Sequence, residues 1–252
     1  MSPFFLDAAI AADNYVAFTF FIGTMAMMAA SVFFFLELSN TDKAWRTSVL
    51  VSGLITFIAA VHYYYMRGVW LETQTSPTQF RYIDWTLTVP LMCIEYYLIL
   101  RPAGAKSGML VRLLIGSIVM LVAGYIGEAV SPESNILWGV ISTIGWGAII
   151  YEIYMGEASK VAASSDNQAV KDGYSVLRWF TLVGWAIYPI GYMLLPGNLL
   201  SGFVEGVDLS KSSPVDLAYN IADAINKIGF GLVVYSIAKN ATEARKAKGA
   251  IA

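Results

Sequence analysis

The sequence predicts an all-α membrane protein, a seven-transmembrane-helix bundle, and three observations carry that prediction. Hydrophobic residues fill 57% of the 252 positions. Charged residues fill 13%, about half of the roughly 25% usual in a soluble domain. The apolar residues gather into seven stretches, each near the ~20 helical residues needed to cross a hydrocarbon core about 30 Å thick.

The spans are expected over residues 13–37, 45–66, 80–100, 109–130, 135–156, 173–196 and 215–239. No Pro/Gly/Ser-rich linker or internal repeat divides them, so residues 1–252 read as one domain. Positive charge sets the orientation. Lys and Arg crowd one set of span ends, from Lys43 and Arg46 through Arg101 and Lys106 to Lys239 and Arg245, whereas Arg67 and Lys211 flank the other. The N-terminus is therefore expected outside and the C-terminus in the cytoplasm. Met1 to Asn14 lacks a basic segment followed by an apolar core and a cleavage site, so no signal peptide is expected. Cys93, the single cysteine, excludes a disulfide framework. With a net charge of −2 and no basic surface, nucleic acid is not an expected partner.

Ionisable groups inside a bilayer are costly and usually functional. The first span offers none, and the second offers His62, the only histidine, near its outer end. The third carries Arg81, Asp84, Thr88 and Glu95, separated by three, four and seven positions, which aligns them on one helical stripe. Asp84 and Glu95 lie about 16 Å apart along the axis, one toward each side of the membrane. Either carboxylate alone could be satisfied by local hydrogen bonds; both on one stripe with Arg81 and Thr88 weaken that view. Glu128 in the fourth span and Glu152 in the fifth sit near span ends and read as hydrated carboxylates. Pro189 in the sixth span, like Pro90 in the third, removes a helical N–H and marks a bend or hinge.

The seventh span pairs Asp223 with Lys227 at i, i+4. An intrahelical ion pair is the simplest explanation, but it gives no reason to bury a lysine. A lysine in a dry pocket spends more time neutral and can attack an aldehyde to form an imine. A protonated imine needs buried counterions, and Asp84 and Asp223 can supply them. His62 should lie at the depth of Asp84, where the two would titrate as a coupled unit; a histidine bonded only to backbone or water is the alternative.

The segment Arg81-Tyr82-Ile83-Asp84-Trp85-Thr86-Leu87-Thr88-Val89-Pro90-Leu91 resembles the microbial rhodopsins, proteorhodopsins above all. So do His62 through Trp70, Trp185 through Pro189, and Tyr219 through Lys227. The resemblance implies a light-driven outward proton pump, not an enzyme, in the inner (plasma) membrane of a prokaryote. It implies all-trans retinal on Lys227, Asp84 as counterion and proton acceptor, Asp223 as second counterion, Glu95 as proton donor and His62 as modulator of Asp84. Thr88 completes the acceptor, threonine, donor triplet, and the Arg81 charge should help keep both counterions ionised. The retinal pocket would draw Trp85 and Met92 from the third span, Met120 and Gly124 from the fourth, Trp146 from the fifth, and Trp185, Tyr188 and Pro189 from the sixth. Apolar Met92 stands at the family's colour-tuning position and implies green absorption.

Gly139 stands where most of the family carries a bulky aromatic. In xanthorhodopsin-like pumps a glycine there admits a carotenoid, so a hydroxylated carotenoid antenna is a second cofactor the resemblance implies; close helix packing is the plainer explanation. A homo-oligomeric ring, pentamer or hexamer, is also implied. Glu205 and Asp208 are candidates for proton release by location alone. A photosensor, a pump for another ion and a chromophore-free receptor or carrier compete with the pump; Glu95 argues against the first, and retention of Asp84 with Glu95 against the second.

Overall fold

The computed structural model describes residues 10–195, 197–204 and 214–247, and every regular element among them is helical. Glu205, Asp208 and Lys211 lie outside the described residues. The helices are α1 (Tyr15–Glu37), α2 (Arg46–Thr73), α3 (Thr78–Leu100), α4 (Ser107–Tyr125), α5 (Asn135–Tyr154), α6 (Glu157–Ser164), α7 (Gln168–Trp179), α8 (Ile187–Leu194) and α9 (Pro214–Ala247). Six helical runs among the described residues are long and apolar enough to cross a membrane. Where the sequence predicts the sixth span, α7 and α8 stand in series, joined through a π-helical turn at Phe180–Gly184.

The helices close into a ring: α1 packs on α2 and α9, α2 on α3, α3 on α4, α4 on α5, and α7 with α8 fills the gap between α5 and α9. Large apolar side chains face outward as well as inward, and the apolar interior also encloses charged groups. Ile22 and Ile144 are more than 60% exposed, while Arg81, Asp84, Thr88, Glu95, Asp223 and Lys227 are buried. In a bilayer this is the stable arrangement, since lipid accepts the apolar faces and the interior must satisfy every polar group.

Local chemistry sets the element ends. Asn14 accepts the Ala17 N–H through Oδ1 at 3.1 Å, capping α1, and the same oxygen accepts Trp70 Nε1–H at 2.9 Å, which ties the start of α1 to the end of α2. Helix α2 continues seven residues beyond the expected stop at 66. The charge of Arg67 does not end it because the guanidinium lies 5.7 Å from the ring centroids of both Phe21 and Tyr64. It ends instead at Gln74, in the left-handed region at φ 53°. The two prolines behave differently: α3 runs unbroken through Pro90, whereas the break in the sixth crossing directly precedes Pro189.

Two span-end carboxylates are not simply hydrated. Glu152, 5% exposed, accepts bonds from Arg112 at 2.8 and 3.2 Å and from the Ala158 N–H at 3.1 Å. Glu128, half-buried, accepts the Tyr82 hydroxyl at 2.9 Å and the Thr78 hydroxyl at 3.3 Å. In both cases the partners come from another helix or a neighbouring turn, which position in the span does not reveal.

Candidate functional site

Helix α9 presents Asp223 and Lys227 one turn apart on its inner face, and α3 presents Asp84 opposite them. Lys227 Nζ donates to Asp84 Oδ2 at 2.6 Å and to Asp223 Oδ2. One cation thus faces two carboxylates in a site closed to solvent. Asp223 Oδ1 accepts the Tyr188 hydroxyl at 3.0 Å.

His62 Nδ1 lies 2.8 Å from the Ile58 carbonyl and 3.7 Å from Asp84 Oδ1. A ring nitrogen that close to a carbonyl must carry the hydrogen, so the Nδ1–H is given to the backbone, and the 3.7 Å to Asp84 Oδ1 exceeds hydrogen-bond length. The backbone bond is made, and the carboxylate lies close by without a hydrogen bond to the ring. Thr88 donates to the Asp84 backbone carbonyl at 2.9 Å, not to its carboxylate.

Arg81 is directed away from the lysine. Its Nη2 donates to Asp216 Oδ1 and to Asn220 Oδ1, each at 2.8 Å, and its guanidinium lies over Phe20 and Tyr219. The expected influence of Arg81 on Asp84 and Asp223 is therefore shared with Asp216, a third buried carboxylate. Asp216, Glu128, Asn135 and Asn198 line a recess of about 700 Å³ at the end of the bundle where α1 begins. Toward the other end, Glu95 is fully buried and accepts the Ser52 hydroxyl at Oε1 at 2.7 Å; no bond reaches its Oε2 among the described residues.

Beside Lys227 opens a cavity of about 820 Å³, its mouth included. Trp85, Met92, Met120, Trp146, Trp185, Tyr188 and Pro189 all line it, as does Gly139. Gly124 does not. A Cβ there would fall 2.9 Å from the Tyr82 hydroxyl, so the Tyr82 side chain covers the position. Gly139 is faced by Tyr192, whose Cε1 would lie 2.7 Å from a Cβ. A second recess of about 480 Å³ shares Gly139, Thr143, Tyr192 and Met193 with the main cavity.

Over residues 14–241 the chain matches the family described as bacteriorhodopsin-like protein. It belongs to the bacteriorhodopsin-like family. It is 48% identical to the blue-light absorbing proteorhodopsin of Gamma-proteobacterium Hot 75m4 over 225 residues, 88% of this chain and 86% of that one. It is 44% identical to the green-light absorbing proteorhodopsin of Gamma-proteobacterium EBAC31A08 over 230 residues, 90% and 88% of the respective chains. Among solved structures it is similar to xanthorhodopsin, described as a light-driven ion pump with dual chromophore, at a TM-score of 0.76 and 28% identity, covering 94% of this chain and 98% of that one. The resemblance read from the motifs is borne out, and the protein is a multi-pass membrane protein.

Three polar residues of this bacteriorhodopsin-like site escaped the sequence. Asp216 and Asn220 precede Asp223 and Lys227 by spacings that place all four on one face of α9, so the stripe argument used for α3 would have found them. Ser52 carries no such signal, since its importance comes only from the α2–α3 contact with Glu95.

Proposed function

We propose that the chain is a light-driven outward proton pump with retinal bound to Lys227. The observation that carries this reading is the placement of a buried amine between Asp84 and Asp223 at the end of an aromatic-walled cavity, with a second carboxylate, Glu95, on the same face of α3 toward the opposite end. The cavity fits the group: its walls are apolar and largely aromatic, and its polar lining atoms include the one nucleophile an aldehyde needs. Bound as an imine at Lys227 Nζ, retinal supplies visible absorption and a light-driven change in how tightly the linkage proton is held.

The chain's own residues do the rest. Asp84 Oδ2, 2.6 Å from Nζ, is within direct transfer distance of that proton. Asp223, held by the Tyr188 hydroxyl, remains as the fixed negative charge when Asp84 is neutralised. His62, 3.7 Å from Asp84 Oδ1 and fixed by its bond to the Ile58 carbonyl, is placed to modulate the acceptor. Outward passage runs along Arg81 and Asp216 to the recess beside Glu128. Glu95 returns a proton from the far side, and the packed interior around it keeps the two half-paths separate.

On this reading the N-terminus faces outside and the protein resides in the plasma membrane. The two proteorhodopsins compared above are named for different colours, so Met92, an apolar wall of the cavity, carries the expectation of green absorption. The shared wall at Gly139 supports a carotenoid lying in the outer recess.

Cells expressing the chain with retinal should acidify their medium under illumination, with the signal abolished by a protonophore, and Lys227→Ala should be colourless. Intact visible absorption with unchanged medium pH would sink the pump and leave a photosensor.

A further inference from the structure

The break in the sixth crossing leaves carbonyls for other helices to satisfy: Trp146 Nε1 reaches Thr181 O at 3.3 Å and the Tyr219 hydroxyl reaches Tyr188 O at 3.0 Å, but the tightest of these bonds is made at Gly184. Pro189 has no N–H, so the Trp185 carbonyl takes its hydrogen from Tyr188 N at 3.2 Å. In a regular helix that Tyr188 N–H would serve the carbonyl of Gly184. Gly184 O is bonded instead by Asn226 Nδ2 of α9, at 2.8 Å. The approach requires glycine: a Cβ at position 184 would fall 2.1 Å from Asn226 Oδ1.

Asn226 directly precedes Lys227 and is 4% exposed. Its Nδ2 also lies 3.4 Å from the Tyr188 hydroxyl, which in turn donates to Asp223. A continuous bonded path therefore runs from the Gly184 carbonyl through Asn226 and Tyr188 to the carboxylate that holds Lys227. A buried amide left without this acceptor would be costly in an apolar interior, so the arrangement is defined by geometry at both ends.

We propose that Asn226 is a positioning residue that ties the π-helical break at Phe180–Gly184 to the lysine-bearing helix, so that displacement at Lys227 is passed to the sixth crossing. The structural tie stands independently of the pump; its use in a photocycle rests on the function proposed above.

The tie predicts non-additivity. In the full chain in lipid nanodiscs, before retinal is added, Asn226→Leu should speed amide exchange in peptides spanning 180–194 by about tenfold. Gly184→Ala, which pushes the amide away from the other side, should do the same, and the double variant should add little. Pro189→Ala restores an N–H for Trp185 O and frees the Tyr188 N–H for Gly184 O; in that background Asn226→Leu should change exchange less than about twofold. Equal effects of Asn226→Leu in both backgrounds, or none in either, overturn the tie. Once retinal is added, recovery of the initial absorbance after a flash should slow by about threefold or more in both Asn226→Leu and Gly184→Ala. Faster exchange with recovery as in the parent chain would overturn the positioning role while leaving the pump untested by that failure, since medium acidification is read separately.

Discussion

Glu95 accepts a single short bond, from Ser52, in surroundings that otherwise offer it aromatic and aliphatic atoms. A carboxyl so placed can hold a proton until a nearby base demands it, the property a donor to the Lys227 end of the path requires. Glu95→Gln should slow the late, reprotonating part of the photocycle by about 10²-fold while leaving colour nearly intact. Ser52→Ala, which removes the one hydrogen bond the carboxyl receives among the described residues, should alter the same phase without abolishing it. Flash photolysis separates the two, and a Glu95→Gln variant with an unchanged late phase would remove Glu95 from the donor role. At this scale the sequence was legible where a charge stood deep in an apolar stretch, as at Asp84 and Lys227. It was not legible at Glu128 or Glu152, because Tyr82 and Arg112 reach them across helix boundaries.

At the scale of elements, the prolines show how far a local rule extends. Each removes one N–H, yet α3 continues through Pro90 while the sixth crossing is interrupted ahead of Pro189, where Asn226 stands ready to take the freed carbonyl. Gly139 shows the same dependence on neighbours. Two recesses meet at Gly139, but Tyr192, anchored by its hydroxyl to the Asn135 carbonyl at 2.7 Å, stands against the glycine where a side chain would be. On the proposed antenna, added hydroxylated carotenoid should give a structured excitation band that transfers to the main absorber, and Gly139→Trp should abolish it by displacing Tyr192 and closing the recess. Persistence of the band in Gly139→Trp would place any carotenoid elsewhere.

For the molecule as a whole, direction of transport depends on which end faces the cytoplasm. The Lys and Arg bias predicts that an epitope after Ala252 is accessible to antibody only in permeabilised cells; labelling of intact cells would reverse the orientation and with it the direction of pumping. Composition and span length by themselves determined a helical membrane bundle, since bilayer thickness and helix rise leave few other solutions for stretches of this length. Periodicity along α3 and α9 likewise determined that Asp84, Glu95, Asp223 and Lys227 face inward. Only the tertiary structure decided what each inward group meets: Lys227 between two aspartates, His62 bonded to backbone beside Asp84, Arg81 drawn to Asp216, Asn226 bonded to Gly184. The physical reason is that a buried polar group must find its partner within hydrogen-bonding distance, and here those partners come mostly from other helices, whose rotation and depth no single stretch of sequence encodes.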